Sequence, residues 1–364
     1  MTDRPGGPTD PDFVGPPLPI PVQRLLGEAE HALGGLDEAA WRLPDRSVLA
    51  RCARIRDARG AAARAGRSAD LVDAWLFADL GTGTPPDLLL RAVSPGEDEQ
   101  DVPPSPVSEG AHPPFDRYLA ALELGADLLA RGRALDVQLL AEVGAVRAHG
   151  RGAPPLAGST ALRTWSVSTR ALEPLPRIAR LALEHRLLAL HPPFPDAAAA
   201  VTSLRLVGSG LLRDQILPLS VWLDTHADRR DALLRGSPAG WVEFFARGVR
   251  ELARAQTNLI EELAALRAHH LNLVPHPRSA RRVAADLVAS PVLTHPALVR
   301  RYGFTAKTAT DVTRRLLELG LVTTLDDRPY RKVFLCVPAL RLLTTEPPGE
   351  PIRDEDVFKA GSPE

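Results

Sequence analysis

The chain has 364 residues, 45% hydrophobic and 24% charged, the composition of an ordinary globular protein with material for two or three cores. Two distant cysteines, Cys52 and Cys336, exclude a disulfide framework and fit a reducing compartment, so a cytoplasmic location is expected. No uninterrupted apolar stretch reaches the roughly 18 residues of a membrane span, and the Pro-, Gly- and Asp-rich start lacks the basic and apolar pattern of a signal peptide. Net charge is −1 but uneven: residues 276–340 hold eleven Arg and Lys against five Asp and Glu. A basic segment on a mildly acidic body points towards polyanions, against the plainer reading of arginines on solvated helix surfaces.

In chain order, residues 1–20 read as a disordered Pro-rich tail and 21–92 as an N-terminal helical region with helices near 21–34, 46–64 and 68–80. Residues 93–114 form an acidic, Pro-rich linker. Helical periodicity returns at 115–132 and 135–150, residues 151–176 are irregular, and an amphipathic helix follows at 176–190. Pro192, Pro193 and Pro195 break the pattern, after which one more apolar helix runs to about Leu223. Ser237 and Pro238 form an N-cap and first-turn proline for a long helix over 241–270.

Residues 273–343 then read helix, helix, helix, strand, strand. The helices are 279–289, 295–302 and one capped by Thr305 that ends at Leu319, with Gly303 at the turn and Gly320 at the stop. LVTTL and KVFLCV are the strands, flanking a polar turn at 326–331. That order is a winged helix-turn-helix, and residues 344–364 read as a disordered tail. Trp41, Trp75, Trp222 and Trp241 read as core residues. His269, His270 and His276 read as helix-end histidines rather than a metal site.

The segment SPAGWVEFFARGVRELARAQTNLIEEL (237–263), with GLL (210–212) and ILPLSVWL (216–223), resembles the Fic (Fic/DOC-like) family with a C-terminal winged helix. The resemblance spans about 25–340. It implies a mainly α fold: a Fic-like helical bundle, with its core at 115–272, followed by the winged helix. Active members carry H-P-F-x-D/E-G-N-G-R-x-x-R and transfer AMP, or another phosphate-containing group, to a protein hydroxyl. The His serves as general base, the acid helps to hold magnesium, the glycine turn offers N–H groups and the arginines grip phosphate.

Here the stretch is HPPFPDAAAAVTSLRL (191–206). Phe194 and Asp196 match. Ala197, Ala198, Ala199 and Ala200 replace the Gly-Asn-Gly-Arg run, and Ser203 stands at the last arginine. Ungapped, Pro192 falls on the base position, and His191 lies one residue early, about 100° away on a helix. The same alignment sets His185 on a histidine common in the preceding helix. In AAARAGR (61–67), Ala61 or Ala62 and Ala65 stand where inhibitory members carry Ser and Glu. Trp165 and His191 are too close in sequence for the family's substrate hairpin.

Two functions follow as expectations. One is a degenerate, inactive pseudoenzyme without a cofactor, acting as a binding or regulatory protein through its winged helix, whose partner is DNA (through 276–340), another protein or a second copy. Its DNA-contacting residues would be Lys307, Thr308, Thr310, Arg314 and Arg315 on the third helix, with Arg328, Arg331 and Lys332 on the wing. The other is an enzyme of altered chemistry that uses His191 and Asp196.

Overall fold

The computed structural model describes residues 18–43, 46–64, 112–150, 152, 160–190, 197–325 and 332–344. The expected helix at 68–80 with its Trp75, nearly all of the tails and the 93–114 linker, residues 191–196 and the expected turn at 326–331 lie outside the described residues. The described chain is mainly helical.

The body is organised on one helix. Ser237 accepts a hydrogen bond from the Gly240 N–H at 3.1 Å and Pro238 fills the first turn, as the sequence expects. The helix so begun, α10 (Pro238–Leu273), buries Trp241, Phe245, Val249, Leu252 and Ile260 along one stripe. In chain order before it lie α1 (Ile20–Trp41), α2 (Arg46–Arg64), α3 (His112–Ala130), α4 (Val137–His149), α5 (Thr160–Arg170), α6 (Arg177–Leu190), α7 (Ala198–Gly208), α8 (Leu219–Thr225) and α9 (Ala227–Arg235). Helices α1 and α6 pack along α10, α7 packs between α6 and α3, and α8 packs against α2.

Gly248 of α10 allows the closest approach in this core. A Cβ there would run into the Trp222 indole at Nε1, so only glycine lets α8 seat that ring.

Four expectations need correction here. Helix α1 runs past Gly34 and Gly35 to Trp41 because its buried stripe continues through Leu36 and Ala40. Residues 160–170 of the supposedly irregular stretch form α5, where Trp165 donates to the Glu184 carbonyl at 3.3 Å. The single apolar helix to Leu223 is two, α7 and α8, parted at Gly210, whose φ of 70° is left-handed. Trp222 and Trp241 are core, but Trp41 is 52% exposed, with the guanidiniums of Arg46 and Arg213 at 4.2 and 4.5 Å from its ring.

The C-terminal part comprises α11 (Arg278–Asp286), β1 (Val292–Thr294), α12 (His295–Tyr302), α13 (Ala306–Glu318), β2 (Thr323–Thr324), β3 (Val333–Leu335) and α14 (Val337–Thr344). Its caps are those the sequence names. Thr305 accepts from the Thr308 N–H at 3.1 Å, and Gly303 and Gly320 both take φ near 67°. Strand β1 and helix α14 were not expected. The antiparallel order is β1-β3-β2, with Val292 opposite Leu335 and Thr323 also opposite Leu335. Both expected strands are shorter than LVTTL and KVFLCV, since Val337 already begins α14.

This unit has its own small core of Val283, Leu298, Val312, Leu316 and Phe334. It is also anchored on the body. Val288, Val292, Leu340 and Leu343 belong to the main core, Cys52 of α2 donates to the Ala289 carbonyl at 3.5 Å, and α14 packs back on α10.

Candidate functional site

The packed pair α6–α7 carries residues 197–203, the described part of the stretch that the sequence compares with the Fic motif. Ala197, Ala198, Ala199 and Ala200 are 3, 1, 3 and 0% exposed, and Ser203 is 4% exposed. The helix α7 begins at Ala198 with no side-chain cap, and it continues without a glycine turn, as an alanine run dictates. At these positions the chain therefore offers methyl groups and one hydroxyl, all buried in a core. His191, Pro192, Phe194 and Asp196 lie outside the described residues.

Just behind the alanines sits His185, buried and stacked on Trp241 with ring centroids 5.5 Å apart. Its Nδ1 is 3.0 Å from Thr202 Oγ1, and that hydroxyl donates its own proton to the Ala198 carbonyl at 2.8 Å. The proton between His185 and Thr202 must therefore belong to Nδ1. Burial, helped by Arg64 and Arg230, pushes the imidazole down to about 3, so it stays neutral. A neutral, enclosed histidine with its Nδ1–H committed is a packing element.

Next to His185 in the middle of α6, Glu184 is 2% exposed and gathers two guanidiniums. Arg205 reaches its oxygens at 2.7 and 2.5 Å, and Arg180 reaches one at 2.9 Å. Sequence reasoning missed this cluster. The available signal was the four-residue spacing of Arg180 and Glu184 within one helix.

A second buried polar cluster joins α2, α3 and α8. Asp57 accepts from the Ser220 N–H at 2.5 Å and from the Tyr118 hydroxyl at 3.1 Å. Tyr118 also lies 2.8 Å from the Ser220 hydroxyl, and Arg64 donates to the Ser220 carbonyl at 2.9 Å. Burial raises Asp57 to about 6 against these hydrogen bonds and the Arg64 charge, and it pushes the Tyr118 phenol up as well. Of the stretch matched to the inhibitory motif, Ala61 and Ala62 are buried on α2, and Ala65 lies outside the described residues.

On the C-terminal unit, α13 turns Lys307, Thr310, Arg314 and Arg315 to solvent, while Thr308 is half-buried and engaged with Thr305. The Thr310 hydroxyl donates to the Ala306 carbonyl at 3.0 Å, so towards a ligand it can only accept. The two arginines already have acidic neighbours. Arg314 meets Asp311 at 2.6 Å and Arg315 meets Glu318 at 3.3 Å, both exposed pairs of small energy. Lys332 is half-buried at the start of β3, whereas Arg328 and Arg331 lie outside the described residues. Of the helix-end histidines, His270 is buried, with Nδ1 3.3 Å from the Ala284 carbonyl.

No protein-family model matches the chain, and no curated protein does. Among solved structures, it is similar to a Fic family protein from Desulfovibrio desulfuricans G20 at 13% identity. That match covers 88% of this chain and 97% of the other, with a TM-score of 0.45. Among the described residues, no helix is long and apolar enough to cross a membrane.

Proposed function

We propose that this chain is a degenerate Fic-like protein that does not transfer AMP and acts as a binding or regulatory protein. Its partner is DNA, held by α11, α12, α13 and the β1-β3-β2 sheet acting as a winged helix. The observation that carries the first half is the burial of residues 197–200 and of Ser203, with α7 unbroken from Ala198 onward. No side chain at those positions can grip a phosphate or stabilise charge developing on one. Whatever chemistry remained would fall to His191 and Asp196, which precede that helix in the sequence.

The second half rests on α13. Its capped N-terminus and exposed Lys307, Thr310 and Arg314 are the residue types that phosphate and base-edge contacts use. In this reading Thr308 and Arg315 flank that face, and Arg328, Arg331 and Lys332 supply the wing. Because the unit shares its core with the body, the test belongs to the full chain. Duplex DNA binding should weaken steeply as salt rises, since bound counterions are released. The variant Lys307→Ala with Arg314→Ala should bind less tightly and show a shallower salt slope. Absence of binding at low salt, or binding indifferent to salt and to both substitutions, would shift the reading to a protein-packing role for this unit.

A further inference from the structure

Where α1 begins, it parts from α10 and leaves a groove of about 570 Å³, within the rough 300–1,000 Å³ range of small-molecule sites. Its apolar floor includes Val22 and Leu25, and Ile20 on its lip is 81% exposed, the most exposed large hydrophobic residue of the described chain. An isoleucine so placed gains by being covered, because burial of such a side chain is favourable by a few kcal/mol at most. The rim is cationic. Arg24, Arg247 and Arg250 line it against Glu28 and Glu243, three guanidiniums to two carboxylates.

Those cations are only partly committed. Arg24 is 83% exposed and reaches Glu28 at 3.5 Å, a contact readily exchanged for another anion. Arg247 meets Glu243 at 3.2 Å within its own helix. Arg250 donates through Nη1 to Glu28 at 2.8 Å and has Glu251 at 3.6 Å from Nη2, while its buried Nε–H meets no acceptor among the described residues. A buried donor without an acceptor is a cost that a bound anion can remove.

We propose that this groove binds a small amphipathic anion: an apolar ring or chain that lies on Ile20, Val22 and Leu25 and carries one acidic group to Arg24, Arg247 and Arg250. The charge balance favours an acid over a neutral ligand, and the exposed lip favours an apolar body over a sugar-like one. The site is independent of both the α6–α7 pair and the C-terminal unit.

The test uses the full chain and anilinonaphthalene sulfonate, a fluorescent apolar probe with one sulfonate. One saturable site is expected. The double variant Arg24→Ala with Arg247→Ala should weaken it at least about tenfold, as lost charged hydrogen bonds do. Ile20→Asp should weaken it comparably and melt with the parent, because Ile20 is exposed, and Arg24→Ala alone, also at an exposed residue, should melt with the parent and still weaken the probe. The uncharged probe phenylnaphthylamine should bind far more weakly. The proposal fails if no saturable site exists, if the arginine variant binds as the parent does, or if both probes bind alike. It also fails if deletion of residues 2–17 sharply tightens the probe, for then the groove belongs to the chain's own N-terminal segment.

Discussion

Glu184 of α6 accepts two hydrogen bonds from one edge of the Arg205 guanidinium of α7, from Nε at 2.7 Å and from Nη2 at 2.5 Å. This clasp ties the middle of α6 to α7 two residues beyond Ser203, and it is asymmetric. Glu184 is enclosed, whereas Arg205 and Arg180 each keep part of their surface in water. Removing Arg205 strands a buried carboxylate with one partner, so Arg205→Ala should cost about 3 kcal/mol in urea unfolding. Arg180→Ala should cost clearly less. Equal and small effects would mean that the carboxylate is solvated.

His185 and Asp57 pull stability in opposite directions with pH. His185 falls from an ordinary 6.5 to about 3 in the fold, so its unfolded form takes protons first. Its contribution is full above pH 6.5 and is lost as pH falls towards 3. Asp57 rises from 3.8 to about 6, so its contribution is full below pH 3.8 and is lost as pH rises through 6, by roughly 3 kcal/mol. Between pH 4 and 6 the two oppose each other. His185→Gln should therefore make stability fall across that window, and Asp57→Asn should make it rise. Urea midpoints at pH 4.5 and 6 decide the matter, and slopes that the two variants leave unchanged would contradict it.

Gly248→Ala should destabilise the body by about 2 kcal/mol, near the middle of the usual cost of overpacking. The added methyl meets the Trp222 indole rather than a movable chain end. Thermal melting measures it. A variant as stable as the parent would show that α8 can shift.

On α13, Asp311 neutralises Arg314. If DNA is the ligand, Asp311→Ala should free that guanidinium and tighten binding several-fold at low salt, while Lys307→Ala weakens it. Gel-shift titrations at two salt concentrations separate these outcomes. A tighter complex in neither condition would mean that α13 does not face the phosphates.

Where chemistry was local, the sequence could be read. The Ser237-Pro238 start of α10, the Thr305 cap and the Gly303 and Gly320 stops are one-residue signals, and each stands where it was expected. The alanine run read as helix, and α7 begins within it. Failures came where the deciding partner is distant. Strand β1 is three residues long, in a stretch without alternation, and pairing with β3 makes it a strand. Helix α5 is held where Trp165 finds a carbonyl on α6. Trp41 looked like core by type, yet its ring sits between Arg46 and Arg213 at the surface. The Asp57 cluster joins three helices far apart in sequence, and no spacing announces it, whereas of the Glu184 cluster only the Arg180–Glu184 spacing within one helix could be read.

In the proposed reading, the buried alanine helix α7 stands where AMP transfer needs a phosphate cradle. The most direct test of that reading is incubation of the full chain with labelled ATP and magnesium, alone and with cell lysate. Loss of each preorganised charge typically costs ~10² to 10³ in rate, so no label should appear on the chain or on any target. Labelling that disappears in His191→Ala would contradict the account.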